Sequence, residues 1–179
     1  IMSGQRPRGK ICIYDDDHYY MGGVLAELLV NECCSVTLVT PSAYVSDWTV
    51  NTLEQNVIHK RLVNLGVRIV LNRGVKEIGE NHVVSNCVYT DETEVYECDA
   101  VVMVASKIEN NGIYFDLKAR EADWLDAGIK SVKLIGDANA PGPIAWAIYA
   151  GHRYARELDE PELGDDLPFQ REITELAIY

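Results

Sequence analysis

The segment DDDHYYMGG, residues 15–23, joins a short apolar run, residues 10–14, to a helix-like run that starts near residue 22. In a strand, loop and helix of this kind, backbone N–H groups at the helix N-terminus hold phosphate, and glycines allow its close approach. Here three aspartates would repel a pyrophosphate, by about 1 kcal/mol per pair of unit charges 4 Å apart even in bulk water. Two tyrosines would also fill its space. We therefore predict a degenerate phosphate site, with Gly22 and Gly23 kept for packing of the helix on the sheet.

Two alternatives stay open for this loop: a metal site on the aspartates, and a nucleotide site of unusual sequence. The end of the second predicted strand argues against the nucleotide, because it carries Thr40-Pro41-Ser42. An NAD domain places an acid there for the ribose hydroxyls, and an NADP domain places an Arg nearby. We expect His18 to be a charge partner of the neighbouring aspartates.

A second segment of interest is LIGDANAPGPIAWAIYAGHRYA, residues 134–155. A strand that ends in Gly-Asp before a helix rich in small residues resembles the closing segment of an FAD domain. In that setting the Asp bonds a polar part of the dinucleotide. Gly136 and Asp137 are therefore candidate cofactor-binding residues; the alternative is that they only turn the chain. No other spacing suggests a catalytic residue or a metal site.

The pattern of elements predicts an α/β fold. Residues 10–105 show strand, helix, strand, helix, strand, an antiparallel meander over residues 74–98 and a strand at 100–105, expected to be buried on both faces. The second helix is expected to start at Asn51 as N-cap, with Glu54 completing a capping box. A helix near 116–127, a strand at 132–135 and a helix from Ile144 follow. This order is that of a Rossmann-like, three-layer NAD(P)-binding-type domain with a meander.

Composition narrows the function classes. The chain carries 28 acids against 16 bases, a net charge of −12, which argues against nucleic acid as a partner. The acidity suits solubility or attraction of a basic partner. No apolar run approaches the roughly 20 residues of a membrane span. Five cysteines without a CxxC spacing indicate neither a disulfide framework nor a metal cluster, so a cytoplasmic location is expected.

Three stretches carry a resemblance to a known family: DDDHYYMGGVLAELL, then VTLVTPSAYVSDWTVNTLEQNVIHKRLVNLGVRIV, then LKAREADWLDAGIKSVKLIGDANAPGPIAWAIYAGHRYARELDE. Together they resemble the C-terminal part of trimethylamine, dimethylamine and histamine dehydrogenases, within the NADH:flavin oxidoreductase (old yellow enzyme-like) group. The likeness covers most of residues 10–160 and is clearest at both ends.

The resemblance implies a larger parent enzyme that oxidises amines by demethylation or deamination. Its TIM barrel would carry FMN, a cysteine cluster would hold a 4Fe-4S centre, and an FAD-like half would bind ADP. Electrons would pass to an electron-transfer flavoprotein. The resemblance also implies that the NADPH-like half has no working dinucleotide site, which would explain the aspartates and tyrosines of the loop.

The expected organisation follows from this resemblance. Residues 1–9 would be a linker or chain end, 10–105 the NADPH-like domain, 106–160 the return segment of the FAD/ADP-like domain, and 161–179 a tail. The piece alone would hold no cofactor and no catalytic residue. Its expected partners are the upstream TIM-barrel and FAD-like domains, and its uncovered apolar surface would favour a homo-oligomer. An NAD(P)H-binding domain of a dienoyl-CoA reductase-like enzyme and a non-enzymatic scaffold remain the alternatives.

Overall fold

The computed structural model describes residues 1 and 4–158, which fall into a first unit, Ile1–Ser106, and a second unit that begins at Lys107. The elements of the first unit are β1 (Lys10–Asp15), α1 (Met21–Asn31), β2 (Ser35–Val39), α2 (Gln55–Asn64), β3 (Arg68–Val70), β4 (Arg73–Ile78), β5 (His82–Cys87), β6 (Thr93–Glu97) and β7 (Ala100–Val104). Those of the second unit are α3 (Gly112–Lys118) and α4 (Ile144–Glu157), with 3₁₀ turns at Glu121–Asp123 and Gly136–Ala138.

The first unit contains two sheets. Four parallel strands lie in the order β3-β2-β1-β7, and β4, β5 and β6 form an antiparallel sheet in chain order. The register of the parallel sheet pairs Ile13 of β1 with Leu38 of β2 and with Val102 of β7. The prediction of an α/β fold with a parallel sheet and an antiparallel meander is confirmed.

Two apolar clusters cover the two faces of the parallel sheet. One cluster joins Ile13 and Leu38 to Leu29 of α1 and Leu62 of α2. The other joins Cys12 and Val39 to residues of the antiparallel sheet, among them Val83 and Tyr96. Because strand side chains alternate between faces, neighbouring residues such as Cys12 and Ile13 enter different clusters. The helices therefore lie on one face of the parallel sheet and the antiparallel sheet on the other.

Two predictions within the first unit are wrong in detail. The second helix begins at Gln55 rather than beside Asn51, because Leu53 has a left-handed φ of 63° that cannot continue a right-handed helix. The side-chain amide of Asn51 bonds the carbonyl of Trp48 instead of capping the helix. Strand β7 is not buried on both faces. It is the edge strand of the parallel sheet, and 51% of Met103 is exposed.

The second unit departs further from prediction. The helix expected near 116–127 is a shorter helix, α3, followed by a 3₁₀ turn. The strand expected at 132–135 is not formed, since this run pairs with no strand in the described part of the chain. The helix from Ile144 is confirmed as α4. None of residues 107–158 is buried. The tail predicted for 161–179 lies outside the described residues.

Candidate functional site

The turn from β1 to α1 places one carboxylate beneath the first turn of the helix. Asp15, the last residue of β1, is fully buried. Its Oδ1 accepts hydrogen bonds from the backbone N–H groups of Asp17 and His18, at 3.3 and 3.2 Å. Its Oδ2 is buried without a hydrogen-bond partner in the described part of the chain. Burial raises the pKa of the Asp15 carboxyl group, and the two backbone donors and the His18 ring oppose that rise.

Gly22 is the residue that makes room for this carboxylate. A Cβ atom built on Gly22 would lie 2.4 Å from Oδ2, 2.5 Å from Cγ and 2.9 Å from Cβ of Asp15. A Cβ on Gly23 would meet only ordinary contacts, the nearest at 3.6 Å. The sequence analysis assigned both glycines to helix packing. The structure separates them, since Gly22 lies against a carboxylate and Gly23 faces α2.

The remaining acids of the loop do not share the position of Asp15. Asp16 points to His18, whose Nε2 lies 3.3 Å from the Asp16 Oδ1, so His18 lies beside a neighbouring aspartate, as the predicted charge partnership requires. His18 itself adopts a left-handed φ of 59°. The first turn of α1 contains no acid, and Tyr20 at its N-cap makes no side-chain capping bond. Asp15 is therefore the aspartate that lies against Gly22, whereas Asp16 lies beside His18.

Tyr20 ties the loop to the start of α2. Its hydroxyl donates to the carboxylate of Glu54, which also accepts a 2.7 Å hydrogen bond from the Thr52 hydroxyl. These two donors, Tyr20 first, lower the pKa of Glu54. A further link runs from the backbone N–H of Trp48 to the carbonyl of His18, at 2.9 Å. The loop after β1 and the segment after β2 are thus joined across the carboxyl edge of the parallel sheet.

The polar groups at the carboxyl end of β2 form hydrogen bonds with one another. Thr40 is fully buried, and its Oγ1 accepts a 3.3 Å hydrogen bond from the N–H of Ser42. The Ser42 hydroxyl donates to Asp47, also at 3.3 Å. Asp47 and Glu54 are residues that sequence reasoning did not place at this edge. No signal in the sequence indicated this placement, because a 3₁₀ helix, Asp47–Val50, and irregular turns separate the end of β2 from α2.

The candidate residues Gly136 and Asp137 lie in the second unit, in the 3₁₀ turn before α4. Gly136 has a left-handed φ of 57°, and a Cβ there would lie 3.4 Å from that of Ala147. One oxygen of Asp137, Oδ1, accepts a 3.3 Å hydrogen bond from the N–H of Gly142. This bond closes the turn that leads into Pro143 and α4. The Asp137 side chain is otherwise exposed.

The remaining features of the described residues concern metal ligands, disulfides and membrane-spanning helices. In residues 1 and 4–158, no group of three or more His, Cys, Asp or Glu side chains is arranged to hold a metal ion. The five cysteines are free thiols; Cys12, Cys34 and Cys98 are buried. No helix within the same residues combines the length and apolar character needed to cross a membrane.

Comparison with known proteins defines the class. The family model "OYE-like second alpha/beta domain" matches residues 1–113. The chain belongs to this family.

Particular relatives are amine dehydrogenases and an amine oxidase. Histamine dehydrogenase from Rhizobium sp. 4-9 is 59% identical, with a TM-score of 0.86 over 99% of this chain and 28% of its own. The 6-hydroxypseudooxynicotine amine oxidase from Pseudomonas geniculata N1 is 33% identical, with a TM-score of 0.77 over 85% of this chain and 22% of its own. Dimethylamine dehydrogenase from Hyphomicrobium sp. (strain x) is 28% identical over 96% of this chain and 26% of its own. The chain thus spans about a quarter of the length of these relatives.

Proposed function

We propose that the first unit is a Rossmann-like, dinucleotide-type domain whose phosphate site is closed by its own side chains. The observation that carries this proposal is the buried Asp15 carboxylate against Gly22 of α1. A phosphate bound at this helix end would need the space that the carboxylate fills and would meet its negative charge. Residues 10–105 form this domain, and it takes no part in catalysis.

The link between Tyr20 and Glu54 supports the same conclusion. A dinucleotide would run from the start of α1 towards the end of β2. In this chain the Tyr20–Glu54 hydrogen bond and the Trp48–His18 backbone bond cross that path. The residues that directly follow β2, Thr40-Pro41-Ser42, include neither a ribose-binding acid nor an arginine, and Thr40 is buried. The scaffold of a nucleotide domain is kept, and its binding groove is closed.

The second unit is, in this proposal, the return segment of an FAD/ADP-like domain, spanning residues 106–160. The run Val132–Ile135 has the sequence of a buried strand but pairs with none in the described part of the chain. Since a strand needs hydrogen-bonded neighbours, a domain that supplies them would complete it. Exposed Ile144, Trp146 and Ile148 on α4 would be covered by the same domain. Gly136 and Asp137 would then contact ADP, Asp137 through its exposed carboxylate.

The parent protein is, on this account, a cytoplasmic flavoprotein that oxidises amines by demethylation or deamination. The amine dehydrogenases and amine oxidase among its relatives support the reaction class. Catalysis would take place on FMN in an upstream TIM barrel, with a 4Fe-4S centre carrying electrons to an electron-transfer flavoprotein. The described residues provide no ligand set for such a cluster, so its cysteines would lie elsewhere in the parent.

The test uses the full-length gene product. We expect it to show flavin absorbance that is bleached by an amine such as dimethylamine or histamine and left unchanged by NADPH. We also expect ADP to be released on acid denaturation, and Asp137→Asn to lower the amount retained. Asp126→Asn, an exposed acid of the same unit, is the matched control. Flavin reduction by NADPH without an effect of amines would contradict the proposal.

A further inference from the structure

The segment that follows β2 displays apolar side chains to solvent from a fixed backbone. Tyr44, Trp48, Val50 and Leu53 are about half exposed or more, and Leu53 is 89% exposed. They alternate with side chains that are almost completely buried: Val45, Ser46, Thr49 and Gln55. Tyr44, Val50 and Leu53 line one open cleft of about 500 Å³. Three of the four exposed side chains therefore share one surface, and Trp48 is exposed in the same segment.

Hydrogen bonds within the segment hold this surface in place. The Thr49 hydroxyl donates to the carbonyl of Ser46 at 2.6 Å, and the Gln55 amide donates to the carbonyl of Val45 at 3.2 Å. The N–H of Glu54 bonds the carbonyl of Thr49 at 3.1 Å. Because the buried groups are fixed, the exposed ones lose little conformational freedom on meeting a partner, which favours binding.

The same segment carries two carboxylates that hydroxyl groups hold in place. Glu54 is held by Tyr20 and Thr52, and Asp47 by Ser42, all through neutral hydroxyl groups. In the part of the chain that the structure describes, neither acid pairs with Lys or Arg. Glu27 and Glu94, in contrast, pair with Arg61 and Arg68. Residues 40–57 contain no Lys, Arg or His at all.

The backbone of Leu53 gives an independent indication. A left-handed φ is uncommon for a residue other than Gly, Asn or Asp, and such residues cluster at functional positions. Here the unusual conformation, φ 63°, presents a large apolar side chain to solvent, where folding gains nothing from it. A glycine or asparagine would satisfy the turn with less strain. The side chain of Leu53 is therefore available for a contact with another molecule.

We propose that this surface, Tyr44, Asp47, Trp48, Val50, Leu53 and Glu54, docks another protein through a lysine or arginine flanked by apolar side chains. We name it the aromatic–acidic patch. Aromatic anchors surrounded by fixed polar groups are the usual centre of a protein interface. A cation of the partner would meet the Asp47 and Glu54 carboxylates and the faces of Trp48 and Tyr44. The patch shares Glu54 with the closed groove, but Tyr44, Val50 and Leu53 take no part in closing it, so the two proposals can fail separately.

The experiment uses two amphipathic helical peptides with the same leucine face, one with lysines and one with glutamates on the polar face. Fluorescence anisotropy measures the binding of each peptide to the 179-residue chain. We expect the lysine peptide to bind and the glutamate peptide not to bind. Raising the salt from about 0.1 M to about 1 M should weaken binding, because the Debye length falls from about 10 Å to about 3 Å.

Three variants locate the binding. Leu53→Asn keeps the left-handed turn and removes the apolar side chain, and Glu54→Gln removes one charge; each should weaken the lysine peptide about tenfold. Val63→Asn is the matched control, since Val63 is 55% exposed on α2 outside the patch and Val and Asn have similar helix propensity. Its affinity should equal that of the native chain.

Several results would overturn the proposal. The proposal fails if the lysine peptide does not bind, or if the glutamate peptide binds equally well. It also fails if Val63→Asn weakens the lysine peptide as much as Leu53→Asn does. If sedimentation shows that the native chain self-associates and Leu53→Asn does not, the patch binds a second copy of this chain. In the full-length protein, protection of Trp48 from oxidative labelling without any added partner would assign it to another part of the same polypeptide. Exposed Trp48 in that protein supports an external partner.

Discussion

Replacing Gly22 by Ala tests the contact on which the closed phosphate site rests. The new Cβ would lie 2.4–2.9 Å from three atoms of Asp15, and that side chain is buried and held by two backbone N–H groups. Overpacking of this kind costs about 1–3 kcal/mol. Ala in place of Gly in a helix gains about 0.5–1 kcal/mol. The net result is a loss of up to about 2.5 kcal/mol in the free energy of unfolding.

Gly23→Ala is the matched control, because the same helix gain applies and the nearest atom to its Cβ would be at 3.6 Å. It should stabilise the first unit by about 0.5–1 kcal/mol. Amide hydrogen exchange of β1 and β2 measures both variants in the native protein. Asp15→Gly combined with Gly22→Ala should recover most of the loss, with a coupling of about 1–3 kcal/mol. Equal stability of the two alanine variants would refute the close contact between Asp15 and Gly22.

Three further predictions concern titrating groups. Because burial raises the pKa of Asp15, the folded state binds the Asp15 proton more tightly than the unfolded state does. The contribution of this group to the free energy of unfolding therefore falls as the pH rises. In urea unfolding, the stability of Asp15→Asn relative to the native chain should therefore increase from about pH 4 to about pH 7. A relative stability that increases on acidification would contradict this prediction. Tyr20→Phe should raise the pKa of Glu54, because Tyr20 supplies the main hydrogen bond that lowers it; an unchanged NMR titration of Glu54 would disprove that link. Burial raises the pKa of Cys12 to about 12, whereas a hydrogen bond from Thr90 lowers that of Cys87. Mass spectrometry should find Cys87 alkylated well before Cys12 near pH 8, and the reverse order would contradict the assigned environments.

The fold of the first unit was predictable from the sequence because its strands and helices carry strong local patterns. Apolar runs such as Ile11–Ile13 and the helical spacing of Leu25 and Leu29 specify elements whose partners lie in the same unit. The meander was equally clear from its turns. In these parts of the chain, the predicted elements pack against other elements of the same unit.

The predictions failed where the outcome depends on pairing or on one backbone angle. The sequence of Val132–Ile135 suits a strand, but a strand forms only beside another strand, and none is present in the described residues. The start of α2 was misplaced because the left-handed Leu53 is not encoded by any glycine or asparagine at that position. The edge position of β7 is a matter of topology, which an apolar run does not specify.

The candidate site was predictable only in outline. The sequence indicated that acids and tyrosines replace the glycines of a phosphate loop. It did not indicate that Asp15 alone enters the space beside Gly22, or that Tyr20 reaches Glu54. These contacts join residues 7 and 34 positions apart, across the turn and between two helices. Such three-dimensional neighbours leave no local pattern.

Calorimetric titration of the chain with NADPH, NADH and ADP tests most directly whether the nucleotide groove of the first unit is closed. The account predicts no binding of either reduced dinucleotide, because the Asp15 carboxylate fills the position of the phosphate. Weak binding of ADP alone would agree with a contact at Gly136 and Asp137. Micromolar binding of NADPH would contradict the account, and it would show that the loop accommodates phosphate despite its aspartates and tyrosines.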